Sequence, residues 1–209
     1  MAIICPTVTA ESLEEFHHQA HTNAVFAERI HFDFMDGILA PTQSPELEAV
    51  IFPKHVTIDL HLMYQKPMDF LDQIIKIRPY LVIIHAEAEV NHALFAAHLH
   101  KEGIKAGLCL LKDSSINEYE NILASFDHLL IFSGDLGHFG GKVDYALLTK
   151  AHQAKKYHPD IEIGWDGGIN EESVAHLAKG GIDVLNVGGF LQKAEHPESA
   201  YATLKSLID

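Results

Sequence analysis

Short apolar runs recur along the chain: Ile3–Val8, Arg29–Met35, His55–Met63, Leu81–His85, Lys105–Leu110, His128–Phe132, Ile161–Trp165 and Val184–Val187. Their length and content predict β-strands. Between them the apolar positions fall at helical spacing. A helix is expected over Glu11–His21 with Thr9 as its N-cap. Another covers Met68–Ile77, with Pro67 suited to a first helical position. Further helices are read over Val90–Lys101 before Gly103, Val143–Tyr157, Glu171–Lys179 between an Asn170 cap and Gly180-Gly181, and Pro197–Ile208. The stretches after Pro45 and around Ile116–Leu123 carry weaker helical patterns. Eight strands with intervening helices, and no linker or low-complexity segment, predict one (β/α)8 TIM barrel over residues 1–209. A doubly wound sheet is the alternative.

Four residues favour the barrel. His31, Asp33, His61 and Asp166 each stand at or near the end of a strand-like run, and alternate residues share a strand face, so His31 and Asp33 point the same way. Two imidazoles and two carboxylates converging at strand ends suit one divalent ion such as zinc, iron, manganese or cobalt. Barrels place such groups at the C-terminal ends of several strands. A metal flanked by carboxylates suits proton removal beside a carbonyl group.

Composition narrows the setting. The chain is 47% hydrophobic and 21% charged, with a formal net charge of −14 spread along its length. An acidic surface disfavours nucleic acid and anionic membranes as partners. No apolar run is long enough to span a bilayer, and the N-terminal residues lack the basic region of a signal peptide. Cys5 and Cys109 lie in apolar runs and read as reduced and buried, which points to the cytoplasm.

Four segments carry a resemblance. His31-Phe32-Asp33-Phe34-Met35-Asp36-Gly37, Asp59-Leu60-His61-Leu62-Met63, His85-Ala86-Glu87-Ala88 and Asp166-Gly167-Gly168-Ile169-Asn170 resemble, in order, strand signatures of the ribulose-phosphate 3-epimerases, a ribulose-phosphate-binding barrel family. The resemblance implies metal ligation by His31, Asp33, His61 and Asp166. It further implies a two-carboxylate proton transfer, with Asp33 and Asp166 on opposite faces of C3 of a ketose phosphate, D-ribulose 5-phosphate or a related sugar. The stereocentre would invert through a cis-enediolate whose charge the metal stabilises. Met35 and Met63 match pocket-lining residues of that family, and a homo-oligomer is the expected assembly.

The phosphate end requires backbone amides near glycine-rich loops, for which Gly140-Gly141, Gly167-Gly168 and Gly188-Gly189 are the candidates, with Lys142 as a local cation. This is also where the chain departs from the family pattern. The sixth-strand loop, Asp135-Leu136-Gly137-His138-Phe139-Gly140-Gly141-Lys142, lacks a usual proline, and Phe132 stands near a missing pocket methionine. Leu111-Lys112 replaces a usual Asn-Pro, Gly188-Gly189 a Gly-Ser, and Ile38-Leu39-Ala40-Pro41-Thr42 forms an altered lid. Two alternatives follow: a metal-binding pseudoenzyme or sugar-binding barrel that has lost phosphate-dependent turnover, and a metal-dependent isomerase or lyase on the same scaffold.

Other polar residues have plainer readings. Asp36 caps a turn before Gly37. His85 and Glu87 support the site or the strand end, and Asp59 lies one layer below His61, where it can orient a ligand. His17, His18 and His21 form a solvated helix face, while Trp165 and Phe139 pack.

Overall fold

The computed structural model describes residues 2–138 and 140–209. Phe139, read above as a packing residue, lies outside them. Eight strands close into a parallel barrel in chain order, the last pairing with the first. They are β1 (Ile3–Val8), β2 (Arg29–Met35), β3 (Thr57–Met63), β4 (Leu81–His85), β5 (Lys105–Leu110), β6 (His128–Phe132), β7 (Glu162–Asp166) and β8 (Val184–Val187). Six match the expected bounds. β3 starts two residues later than expected, and β7 shifts by one so that Asp166 is its last residue. The outer layer holds α1 (Leu13–Asn23), α2 (Leu71–Ile77), α3 (His92–Lys101), α4 (Glu120–Leu123), α5 (Leu148–Tyr157), α6 (Val174–Lys179), α7 (Gly189–Gln192) and α8 (Pro197–Ser206).

The strands are apolar on both faces because both are buried, as parallel sheets require. On β2, Phe32 and Phe34 point outward and pack on Phe16 of α1, with ring centroids 5.6 and 5.7 Å away, while His31 and Asp33 point into the barrel. Leu81, Ile83, Cys109, Leu130 and Phe132 fill the lumen. Cys5 and Cys109 are free and fully buried.

Four expectations about the connections are corrected. Thr9 does not cap α1; Ser12 does, its hydroxyl accepting from the Glu15 N–H. Thr9 is committed elsewhere, as shown below. The stretch after Pro45 forms no helix: among the described residues, 36–56 connect β2 to β3 by turns and one short bridge between Asp36 and Gln43. Helices α2 and α5 are each preceded by a 3-10 turn, Pro67–Phe70 and Tyr145–Leu147, so their α-helical parts start later than the apolar spacing suggests. Asn170 does not cap α6, which starts at Val174 with Ser173 at its N-cap; instead its side-chain oxygen accepts from the N–H groups of Glu172 and Ser173 in the turn that precedes the helix.

Candidate active site

Register brings the four candidate ligands together. Asp33 lies opposite His61 across β2 and β3, and Asp166 ends β7. One ligating atom from each of His31, Asp33, His61 and Asp166 lies within 4.8 Å of all the others. Oδ1 of Asp33 is 2.8 Å from Nδ1 of His61 and 3.2 Å from Nε2 of His31, while Oδ2 of Asp166 is 3.8 Å from that same Nε2. The histidines are fully buried.

The electrostatics of the cluster are polarised. Burial alone would push Asp33 up, but the two imidazoles beside it hold it well below the usual carboxylate range. Burial and the charge of Asp33 push Asp166 up to about 7. Burial lowers His61 to about 3, which keeps it neutral and able to ligate. For His31 burial works against the charged form, but the carboxylates around it outweigh burial and raise it.

This donor set fits a divalent ion. Among the described residues, neither ring nitrogen of the buried His31 has a hydrogen-bond partner, an arrangement that is costly unless something else engages them. Two nitrogen and two carboxylate oxygen donors suit zinc, iron, manganese or cobalt. A second group of donors, His61, His85 and Cys109, is equally compact and shares His61. There, however, Nε2 of His61 is already engaged by Nε2 of His85 at 2.9 Å, and burial holds the Cys109 thiol protonated.

The surrounding residues hold the cluster in place. The Thr9 hydroxyl donates to Oδ2 of Asp33 at 2.5 Å. Nδ1 of His85 lies 3.4 Å from Glu87, whose carboxylate also accepts from the Ser114 hydroxyl. His85 and Glu87 therefore stand behind His61, as the sequence suggests. Asp36 accepts from the N–H groups of Ile38, Leu39 and Gln65, fixing the turn after β2. Asp59 does not orient a ligand; it turns toward the other end of the barrel, where it pairs with Arg29 at 2.7 Å. His17 accepts from the Ile51 N–H and His21 bonds to the His17 carbonyl, so neither needs an ion. Trp165 is fully buried and donates to the Gly167 carbonyl.

A cavity of about 230 Å³ opens over the cluster. Asp33, Asp166, Met63 and Phe132 line one part, and Gly140, Gly141, Gly167, Gly168, Gly188 and Gly189 line another. Met35 does not line it; it is buried beside Met63, Ala40 and Leu136, its sulfur accepting from the Thr42 hydroxyl. At Gly167 any side chain would strike the backbone of Gly134 within 2.2 Å, and φ is +108°, so the β6 and β7 loops approach this closely only with glycine there. Lys142 is exposed and does not line the cavity. Lys193 does, at the end of α7. The sequence reading missed Lys193, Thr7, Thr9 and Asn186. The alternation of Thr7 and Thr9 with apolar residues, and an asparagine inside the run Val184–Val187, were the signals available.

A closed parallel barrel with a polarised carboxylate pair and glycine loops at one mouth has the architecture of an enzyme acting on small phosphorylated molecules. Comparison with known proteins makes this specific. The ribulose-phosphate 3 epimerase family matches residues 4–191. Ribulose-phosphate 3-epimerase of Mycobacterium leprae is 29% identical over 211 residues, covering 97% of this chain and 93% of its own. That of Helicobacter pylori is 28% identical over 188 residues, covering 87% of each chain. Among solved structures, 3-hexulose-6-phosphate synthase from Salmonella typhimurium superposes with a TM-score of 0.71 at 13% identity, covering 99% of this chain and 98% of its own; at that identity the likeness shows the fold. The chain belongs to the ribulose-phosphate 3-epimerase family, a family of isomerases.

Proposed function

We propose that the protein is a metal-dependent epimerase that inverts C3 of a ketose phosphate, interconverting D-ribulose 5-phosphate and D-xylulose 5-phosphate or acting on a closely related sugar phosphate. The observation that carries this reading is the geometry of one cavity: Asp33 on β2 and Asp166 on β7 both line it, and their carboxylates converge there with the imidazoles of His31 and His61. The surroundings of the two carboxylates differ as an acceptor and a donor of one proton require: imidazoles hold Asp33 below the usual carboxylate range, and burial and the charge of Asp33 push Asp166 up.

In the direction that starts at Asp33, the C3–H bond breaks, its proton passes to the Asp33 carboxylate, and its electron pair moves into the C2 carbonyl. Asp166 then delivers a proton to the other face of C3 as the carbonyl re-forms. Asp33 stands on β2 and Asp166 on β7. A divalent ion held by His31, Asp33, His61 and Asp166 supplies, when bound, the positive charge that acidifies C3–H and offsets charge on the carbonyl oxygen. Met63 and Phe132 keep water from that end of the cavity, with Met35 packed behind Met63. The paired glycines and Lys193 receive the phosphate, so attraction for an anion is local in a chain of net charge −14. Free, buried cysteines fit a reducing compartment such as the cytoplasm.

The test is solvent-deuterium incorporation at C3 of D-ribulose 5-phosphate, followed by NMR with metal-loaded protein. Exchange by the wild type, abolished in both Asp33→Asn and Asp166→Asn, is expected. Metal-loaded wild type that exchanges nothing, or turnover retained in either variant, overturns the reading; in the first case the barrel binds without turning over.

A further inference from the structure

Asn186 sits in the middle of β8, opposite Asp166 of β7 on one side and Cys5 of β1 on the other. It is 2% exposed and lines the cavity. Neither its amide nitrogen nor its amide oxygen has a hydrogen-bond partner among the described residues. Thr7, on the neighbouring strand β1 and 3% exposed, also lines the cavity with its hydroxyl unpartnered. A buried amide left unmatched costs about 1–3 kcal/mol, and nothing about β8 requires it, since the strand around it is apolar. A leucine has a similar branched shape and would carry no such cost.

The kind of group that would satisfy it can be argued from chemistry. The amide offers both donors and acceptors. A phosphate or carboxylate would use only the donors and would meet the negative charge of Asp33 and Asp166. A cation would use only the acceptor. A hydroxyl uses both and is neutral. We infer that Asn186 is a sugar-hydroxyl-binding residue that determines which polyol the cavity accepts, separate from the glycine loops and Lys193 that take the phosphate. The inference rests on the reading that the ligand is a sugar phosphate. Sites built to hydrogen-bond a hydroxyl discriminate strongly against ligands that lack it, because the buried polar groups are then left unpaired.

The experiment uses two probes that need no turnover, D-ribitol 5-phosphate and inorganic phosphate, titrated into metal-loaded wild type, Asn186→Leu and Asn186→Thr, with metal content measured for each. Wild type is expected to prefer the pentitol phosphate over inorganic phosphate. Asn186→Leu should weaken the pentitol at least tenfold while inorganic phosphate changes less than twofold and metal content holds; Asn186→Thr, which keeps a hydroxyl, should recover part of the loss. No preference in the wild type, pentitol affinity unchanged in Asn186→Leu, equal losses for both probes, or loss of metal each overturns the assignment. Failure of C3 exchange in wild type that still prefers the pentitol would remove the epimerase reading and leave Asn186 in place.

Discussion

The hydroxyl of Thr9 donates to Oδ2 of Asp33 across 2.5 Å, while Oδ1 of the same carboxylate faces His61 at 2.8 Å. The two oxygens are thus given different tasks: one belongs to the donor cluster and the other is held toward the cavity. Thr9 is itself clamped, since Gln19 of α1 accepts from its N–H and donates to its carbonyl, both at 3.0 Å. Thr9→Val keeps the shape and removes the donor, so the carboxylate becomes free to swing. The expected outcome is a kcat lower by about 10–100-fold, or about 1.4–2.7 kcal/mol, with KM changed less than about threefold and recovery in Thr9→Ser. Steady-state kinetics of the two variants check it. Equal kinetics in Thr9→Val and wild type would show that Asp33 is held without this bond.

His85 stacks on His61 with ring centroids 5.0 Å apart and an interplanar angle of 18°, and their Nε2 atoms are 2.9 Å apart. Because His61 is neutral, one ring donates and the other accepts, which leaves Nδ1 of His61 aimed at the carboxylates. Groups that orient a metal-ligating histidine are typically worth 10–100-fold in affinity. His85→Leu should therefore weaken zinc or manganese binding by about 10–100-fold, measured by chelator competition. An unchanged affinity would mean that barrel packing alone sets the ring.

Lys193 lines the cavity with Gly188 and Gly189, whereas Lys142 is exposed and is not among its lining residues. A cation near a phosphate contributes binding in ground and transition states alike, which appears in KM. Lys193→Ala is expected to raise KM for the sugar phosphate about tenfold, or about 1.4 kcal/mol, with kcat within about twofold. Lys142→Ala should leave both constants unchanged. The reverse pattern would place the phosphate on the β6 loop side.

Much of this was legible before any coordinates. Period-two alternation placed His31 and Asp33 on one face, and the apolar runs marked all eight strands, because a sheet buried on both sides leaves an unmistakable record. The residues that escaped notice are those whose role depends on contacts distant in sequence. Thr9 looks like a helix cap, and only the approach of β1 to β2 shows that its hydroxyl serves Asp33, leaving the cap to Ser12. Lys142 directly follows a glycine pair and Lys193 stands four residues beyond one, so proximity in sequence favours Lys142, and the course of the chain brings Lys193 to the cavity. Asp59 shares a strand face with His61, but Arg29 draws it to the opposite end of the barrel. A face can be read from alternation; depth along the barrel depends on which partner waits at each level.

That opposite end depends on a glycine. A Cβ on Gly164 would lie 2.4 Å from Nε2 of His128 and 2.8 Å from its Cε1. His128 is 1% exposed and tied to Glu162 at 2.8 Å, so the ring has no room to retreat. Overpacking of a buried site costs about 1–3 kcal/mol. Gly164→Ala should destabilise the barrel by about that amount in urea unfolding, with metal affinity unchanged because the site lies at the other mouth. A neutral effect would show that His128 can leave its place.

Glu162 joins this base of the barrel through charge. Its two oxygens accept from both terminal nitrogens of Arg29, at 3.0 and 2.9 Å, and one also meets His128. Burial would raise the Glu162 carboxyl, but His128 and Arg29 outweigh burial and hold it below the usual range. A carboxyl depressed in the folded state stabilises at pH above its unfolded value of about 4.3, and that contribution is lost as pH falls toward the folded value, because the native protein must then give up a paired carboxylate. Glu162→Gln should therefore cost about 2 kcal/mol at pH 7, within the range for hydrogen bonds to charged groups, and the difference from wild type should shrink steadily below about pH 4. Urea denaturation of both proteins at pH 7 and at about pH 3.5 makes the comparison. A gap that is constant with pH would mean that the glutamine loses packing rather than charge, and that Arg29 is satisfied by Asp59 alone.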